Sequence, residues 1–209
     1  MCLNFEIWKE VLTKPQETFK KQEKKANLGE GIKHIGIAGV IVGVITGIAA
    51  WIGMATVGSL LGTPGLTLGV GIGIAAFLSS VILTPIFAVI WWLIGSGILY
   101  IFAMIFGGKG SYTTQSYLIA LYSAPLMILS AILVLIPIVG AIVNFLVMLY
   151  GLYLLTLALK QVHKVTTGKA VAIWFVPLVI VVIIIAVMFS VWLATFTSIL
   201  TAGKVGSQM

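Results

Sequence analysis

The chain has 209 residues, of which 61% are hydrophobic and 8% charged, with a formal net charge of +7. Ordinary soluble domains carry about 25% charged residues, and here no acid, lysine or arginine occurs between Lys33 and Lys109. A water-facing surface needs ionic groups, so a soluble fold is excluded, whereas lipid is a solvent in which such a stretch is stable. The expected class is an all-α polytopic transmembrane bundle. The chain contains no arginine and no aspartate, and its five acids, Glu6, Glu10, Glu17, Glu23 and Glu30, all precede His34. The positive charge is read as lysines at membrane ends, not as a nucleic-acid surface.

Residues 1–34 read as a cytoplasmic tail that is both amphipathic and basic. Phe5, Trp8, Val11 and Leu12 recur at helical spacing with Glu6, Lys9 and Glu10 between them. Pro15 ends this helix and opens a second, lysine-rich one that carries Lys20, Lys21, Lys24 and Lys25. Two states fit the second helix. It is a solvated helix held by Glu–Lys pairs, or it lies on an anionic leaflet with Trp8 and Phe19 dipping into the interface. Cys2 is the single cysteine, so no intrachain disulfide forms. The charged start leaves no cleavable signal peptide, so the first span is expected to act as the insertion signal.

The membrane domain is expected over 35–200, with five spans. The first, about 35–61, carries Gly36, Gly39, Gly43 and Gly47, small residues that let another backbone approach closely. The expected occupant of that face is a neighbouring span; a second copy, giving a homo-oligomer, is the alternative. Gly62-Thr63-Pro64-Gly65 breaks the chain. Leu66–Phe106 is too long for one span and just long enough for two. A single crossing at about 79–106 keeps Lys109 and the Lys160–Lys169 loop on the lysine-rich side. Residues 66–77 are then re-entrant, interfacial or a helix extension. The third span, about 115–136, and the fourth, about 141–159, are joined by an uncharged turn, Pro137-Ile138-Val139-Gly140. The fifth is about 170–200, and 201–209 form a short polar tail. Pro85, Pro125 and Pro177 are expected helix kinks.

Orientation follows from the lysines. The tail has seven, Lys109 adds one and Lys160, Lys164 and Lys169 add three, against Lys204 alone on the other side. The amino terminus is therefore expected in the cytoplasm and the carboxy terminus outside. Lys20, Lys21, Lys24, Lys25, Lys109, Lys160, Lys164 and Lys169 then form a cytoplasmic basic face for membrane lipid, anionic lipid above all, or for a membrane or cytoplasmic protein partner.

The spans contain no Asp, Glu, Lys or Arg, which removes the groups that proton relays and charge-paired carriers use. No catalytic residue, cofactor or metal site is expected. His34 and His163 read as ordinary residues of the cytoplasmic boundary. Gly107-Gly108-Lys109-Gly110-Ser111 lacks the spacing and preceding strand of a phosphate-binding loop. Asn144 needs a partner in hydrocarbon and is expected to pack against another helix. The rival function is a small transporter or channel for a neutral or apolar solute, with the three prolines breaking helices around a cavity.

Gly107-Gly108-Lys109-Gly110-Ser111-Tyr112 is followed by Ala120-Leu121-Tyr122-Ser123-Ala124-Pro125, then by Gly151-Leu152-Tyr153-Leu154-Leu155. Leu159-Lys160-Gln161-Val162-His163-Lys164-Val165 and Gly168-Lys169-Ala170 complete the pattern, with Trp8, Val11-Leu12, Pro15 and Phe19 as lead-in. This pattern resembles the YIP family, the Ypt/Rab-interacting membrane proteins, in its prokaryotic form. The resemblance implies a non-enzymatic five-span protein with a cytoplasmic amino terminus. It also implies a role of the membrane-organising or trafficking type, since eukaryotic members act between endoplasmic reticulum and Golgi and bind Rab-type GTPases and one another. A prokaryotic member would sit in the cell membrane.

Overall fold

The computed structural model describes residues 5–206, with side chains through Ser198; Cys2 and residues 207–209 lie outside the described residues. The described chain is helical throughout: α1 (Phe5–Thr13), α2 (Pro15–Glu23), α3 (Leu28–Ser59), α4 (Gly62–Ile105), α5 (Tyr112–Leu133), α6 (Val139–His163) and α7 (Thr167–Gly206). α3 to α7 are each long and apolar enough to cross a bilayer. The protein is an integral, multi-pass membrane protein.

Local chemistry sets the ends. Asn27 caps α3, its side-chain oxygen accepting from the N–H groups of Gly29 and Glu30 at 2.7 and 3.4 Å. Ser111 caps α5 in the same way, accepting from Thr114 N–H at 3.2 Å. Lys164 ends α6 in the left-handed conformation with φ 54°. Gly62, at φ 82°, supplies the left-handed residue that reverses the chain between α3 and α4.

α3 and α4 form an antiparallel pair joined backbone to backbone along its whole length. A Cβ on Gly39 would lie 2.6 Å from Pro85 Cα, on Gly43 2.6 Å from the Ser80 carbonyl oxygen, and on Gly47 2.9 Å from the Phe77 ring. The seam continues with Gly73 against Trp51 and Gly58 against Gly65 and Gly69. Each position admits only hydrogen, so the glycines are what bring the two helices together. Gly36 is a correction to the face read from sequence: nothing approaches within 4 Å of a Cβ there, because α4 passes on the side of Gly39.

α4 is one helix from Gly62 to Ile105, so residues 66–77 are its extension and not a separate segment. Their glycines would weaken an isolated helix, but Gly69 and Gly73 are the faces on which α3 packs. Pro85, Pro125 and Pro177 each sit inside a continuous helix. α7 likewise continues past Leu200, through Gly206.

The tail is part of the folded body. Trp8, Val11 and Phe19 are buried with Ile35, Tyr117, Leu118, Leu121, Tyr122 and Leu154 in one core cluster. The reading that placed Trp8 and Phe19 in the lipid interface is thereby corrected, and α2 is not a freely solvated helix. The bundle offers these side chains a preformed apolar slot beside Tyr122 and His34, which a leaflet surface does not. Burying a large apolar side chain contributes about 1.5–3 kcal/mol, and Trp8, Val11 and Phe19 each add such a contribution to holding the two short helices on the bundle.

Candidate functional site at the junction of tail and bundle

Five polar links tie α1 and α2 to the rest of the bundle. Trp8 Nε1 donates to His34 Nδ1 at 2.9 Å, joining α1 to α3. Tyr150 on α6 donates its hydroxyl to the Leu12 carbonyl at 2.5 Å. Tyr117 on α5 donates to Gln22 Oε1 at 3.3 Å. At the end of α2, Glu23 accepts from Gln161 Nε2 at 2.5 Å and pairs with Lys164 at 3.1 Å. Trp8, His34, Gln22 and Tyr117 are buried, so these bonds form away from water, where an unpaired partner is costly.

A second network binds the loop after α4 to the end of α6. His163 Nδ1 accepts from the Gly110 N–H at 3.2 Å, which puts the ring proton on Nε2. Nε2 then donates to Gln115 Oε1 at 2.7 Å, and Gln115 Nε2 donates to the Ser96 carbonyl at 2.8 Å. His163 and Gln115 are buried, and Lys109 N–H adds a 3.4 Å bond to the His163 carbonyl. A Cβ at Gly108 would lie 2.6 Å from His163 Nδ1, so glycine is what admits the ring. The arrangement needs a neutral imidazole at both histidines, since each Nδ1 is an acceptor. Both are structural connectors of α helices, where the sequence alone showed only boundary residues.

The lysines singled out by sequence gather at this end. The Glu23–Lys164 pair brings the end of α2 to the end of α6, and the Lys109–His163 bond brings the α4–α5 loop there too. Lys20, Lys21, Lys24, Lys25, Lys109, Lys160, Lys164 and Lys169 are all exposed. Lys21 approaches Glu10 at 4.0 Å, and Lys160 donates to the Thr167 hydroxyl at 3.2 Å. Asn144 lies elsewhere, on the α5–α6 contact, where Ser130 donates to its Oδ1 at 2.8 Å.

Of two open grooves, one of 410 Å³ lies between α3 and α4 at Trp51, Ile52 and Val70, and one of 460 Å³ is lined by α4 alone at Ser79, Leu83 and Phe87. Neither is lined by a charged group.

Sequence reasoning did not single out Gln22, Gln115 or Tyr117, and it read Trp8 as interfacial and His34 and His163 as boundary residues where the structure makes them hydrogen-bonded connectors. A signal existed for Gln22: it lies three residues after Phe19, on the face that the only large apolar residue of α2 buries.

A family model described as the Yip1 domain matches residues 9–198. No curated protein and no solved structure matches the chain.

Proposed function

The chain belongs to the Yip1 domain family, and from that premise we propose that it is a non-enzymatic membrane-organising scaffold of the trafficking type. Its basic end faces the cytoplasm and holds anionic lipid headgroups around the docked α1–α2 pair. The observation that carries this reading is the gathering of eight exposed lysines at one end of a membrane bundle. The 11 lysines on that side against Lys204 on the other support a cytoplasmic amino terminus. Each lysine near an anionic surface contributes about 1 kcal/mol, and the contribution falls with salt. The acids of the tail offset part of it, so the preference is modest.

The test uses the full chain purified in mixed micelles of phosphatidylglycerol and phosphatidylcholine. Native mass spectrometry is expected to show phosphatidylglycerol retained in excess. Lys24→Gln, Lys25→Gln, Lys160→Gln and Lys169→Gln together should remove the excess. Equal retention of the two lipids by the parent protein overturns the reading. Selective flux of a neutral solute through reconstituted vesicles would replace it with the transporter reading.

A further inference from the structure

Length and composition permit α5 and α6 to cross a bilayer; their placement against the other helices does not. A Cβ at Gly31 on α3 would lie 3.6 Å from the Cβ of Ala120 on α5, so the two positions are level. From there α3 rises to Ser59 by about 42 Å, at 1.5 Å per residue, while α5 rises to Leu133 by only about 20 Å. The α3–α4 tip thus stands about 20 Å beyond the α5–α6 turn.

α7 gives the same offset independently. Trp174 Nε1 donates to the Thr156 hydroxyl at 2.9 Å, which levels α7 with α6. Above that level α6 extends about 25 Å to Val139, and α7 extends about 45 Å before reaching the position of Lys204.

The lower limit of the hydrocarbon comes from the tail. Leu12 accepts from Tyr150, and the charged corner at Lys14 follows directly. Tyr150 lies about 16 Å below Val139 along α6. The α5–α6 turn is therefore about 16 Å above charged groups and about 20 Å below the Gly62–Pro64 turn and Lys204. These two distances together match a hydrocarbon core of about 30 Å with its boundaries. The turn falls near the bilayer midplane.

The chemistry of the turn agrees. From Leu133 to Val143 no side chain is polar. Ile138 is 78% exposed and Val134, Val139 and Ile142 are each above 60%. The turn closes with a Val139 N–H bond to the Pro137 carbonyl at 2.7 Å, around Ile138 at φ 64°. A β-branched residue is an outlier at such a φ. An isoleucine suits a turn whose solvent is acyl chain. The α4–α5 and α6–α7 loops carry polar side chains, Lys109 and Ser111 in one and Lys164 and Thr166 in the other, and the apolar Leu60–Leu61 loop is flanked by Ser59 and Thr63.

We propose that α5–α6 is a re-entrant hairpin that enters from the amino-terminal side and ends in the hydrocarbon, leaving α3, α4 and α7 as the only crossings. Five helices then occupy the near leaflet and three the far one. The protein is a one-leaflet wedge that fits a membrane convex on its amino-terminal side. The number of crossings stays odd, so the lysine asymmetry is satisfied either way, and the proposal stands apart from the lipid-headgroup reading.

The test starts from the full chain with Cys2→Ser, reconstituted in sealed vesicles. Ile138→Cys, Val134→Cys and Ile142→Cys each carry a spin label, with Thr63→Cys for comparison. The three apolar sites are expected to show collision rates with oxygen far above those with a water-soluble nickel chelate, and Thr63→Cys the reverse. An impermeant maleimide should reach Thr63→Cys from the far side and none of the three from either side. Labelling of any of the three from the far side overturns the proposal. In tubes pulled from giant vesicles, molecules with the amino-terminal side outward should be denser on the tube than on the flat membrane. Equal density overturns the wedge.

Discussion

Replacing Gly43 with alanine adds one methyl group at a close backbone contact in the middle of the α3–α4 seam. Its Cβ would lie 2.6 Å from the Ser80 carbonyl oxygen and 3.1 Å from Val81 Cα. Both are backbone atoms of a continuous helix, so no side-chain rotation relieves the overlap. The helices must separate, and neighbouring contacts at Gly39–Pro85 and Gly47–Phe77 loosen with them. Overpacking of this kind costs about 1–3 kcal/mol. Gly43→Ile, with a branched side chain in the same place, should exceed that. The control is Gly36→Ala, one helix face away, where nothing lies within 4 Å of the new atom. There alanine should be neutral or stabilising by about 0.5–1 kcal/mol through the lost flexibility of glycine. Thermal melting in one detergent, followed by intrinsic tryptophan fluorescence, reads the order parent or Gly36→Ala, then Gly43→Ala, then Gly43→Ile. If Gly43→Ala melts with Gly36→Ala, the seam is not where the two helices meet, and the reasoning fails.

The junction and the core give further outcomes. His34→Phe leaves the Trp8 indole N–H buried without its acceptor, at a cost of about 1–3 kcal/mol; limited trypsin digestion should then cut after Lys9, on α1, faster than in the parent. Gln115→Leu removes the acceptor of His163 and the donor to Ser96 at once, and should lower stability by about 1–3 kcal/mol, measured by the same melt. Gln161→Ala should cost less than Gln115→Leu, because Glu23 keeps Lys164 as a partner in a half-exposed setting. Asn144→Leu breaks a single interhelical bond to Ser130 and should shift stability by about 0.6 kcal/mol, with a shift several times larger pointing to a role beyond packing.

The membrane class was decided by residues 34–108, because no solvent but lipid tolerates so long a stretch without ions. Local rules also reached a chain reversal near Gly62, although the turn itself is Leu60–Leu61 and Thr63-Pro64-Gly65 already belong to α4, and they reached the spacing of Gly39, Gly43 and Gly47, since both depend on what neighbouring backbone atoms allow. The family pattern of glycine, proline and aromatic positions was legible on the same terms. The fate of Trp8 and Phe19 was not. An amphipathic helix presents the same periodicity whether its apolar face meets a leaflet or a groove between helices. Only the placement of Tyr122 and His34 from α5 and α3 settled it. His163 and Gln115 are 48 residues apart in sequence and 2.7 Å apart in space, so their bond has no local signature. The depth of the α5–α6 turn belongs to the same class. Sequence reports that Ile138 is apolar; whether it lies at the far surface or at the midplane depends on the register of α5 against α3, which close contact at Gly31 and Ala120 sets.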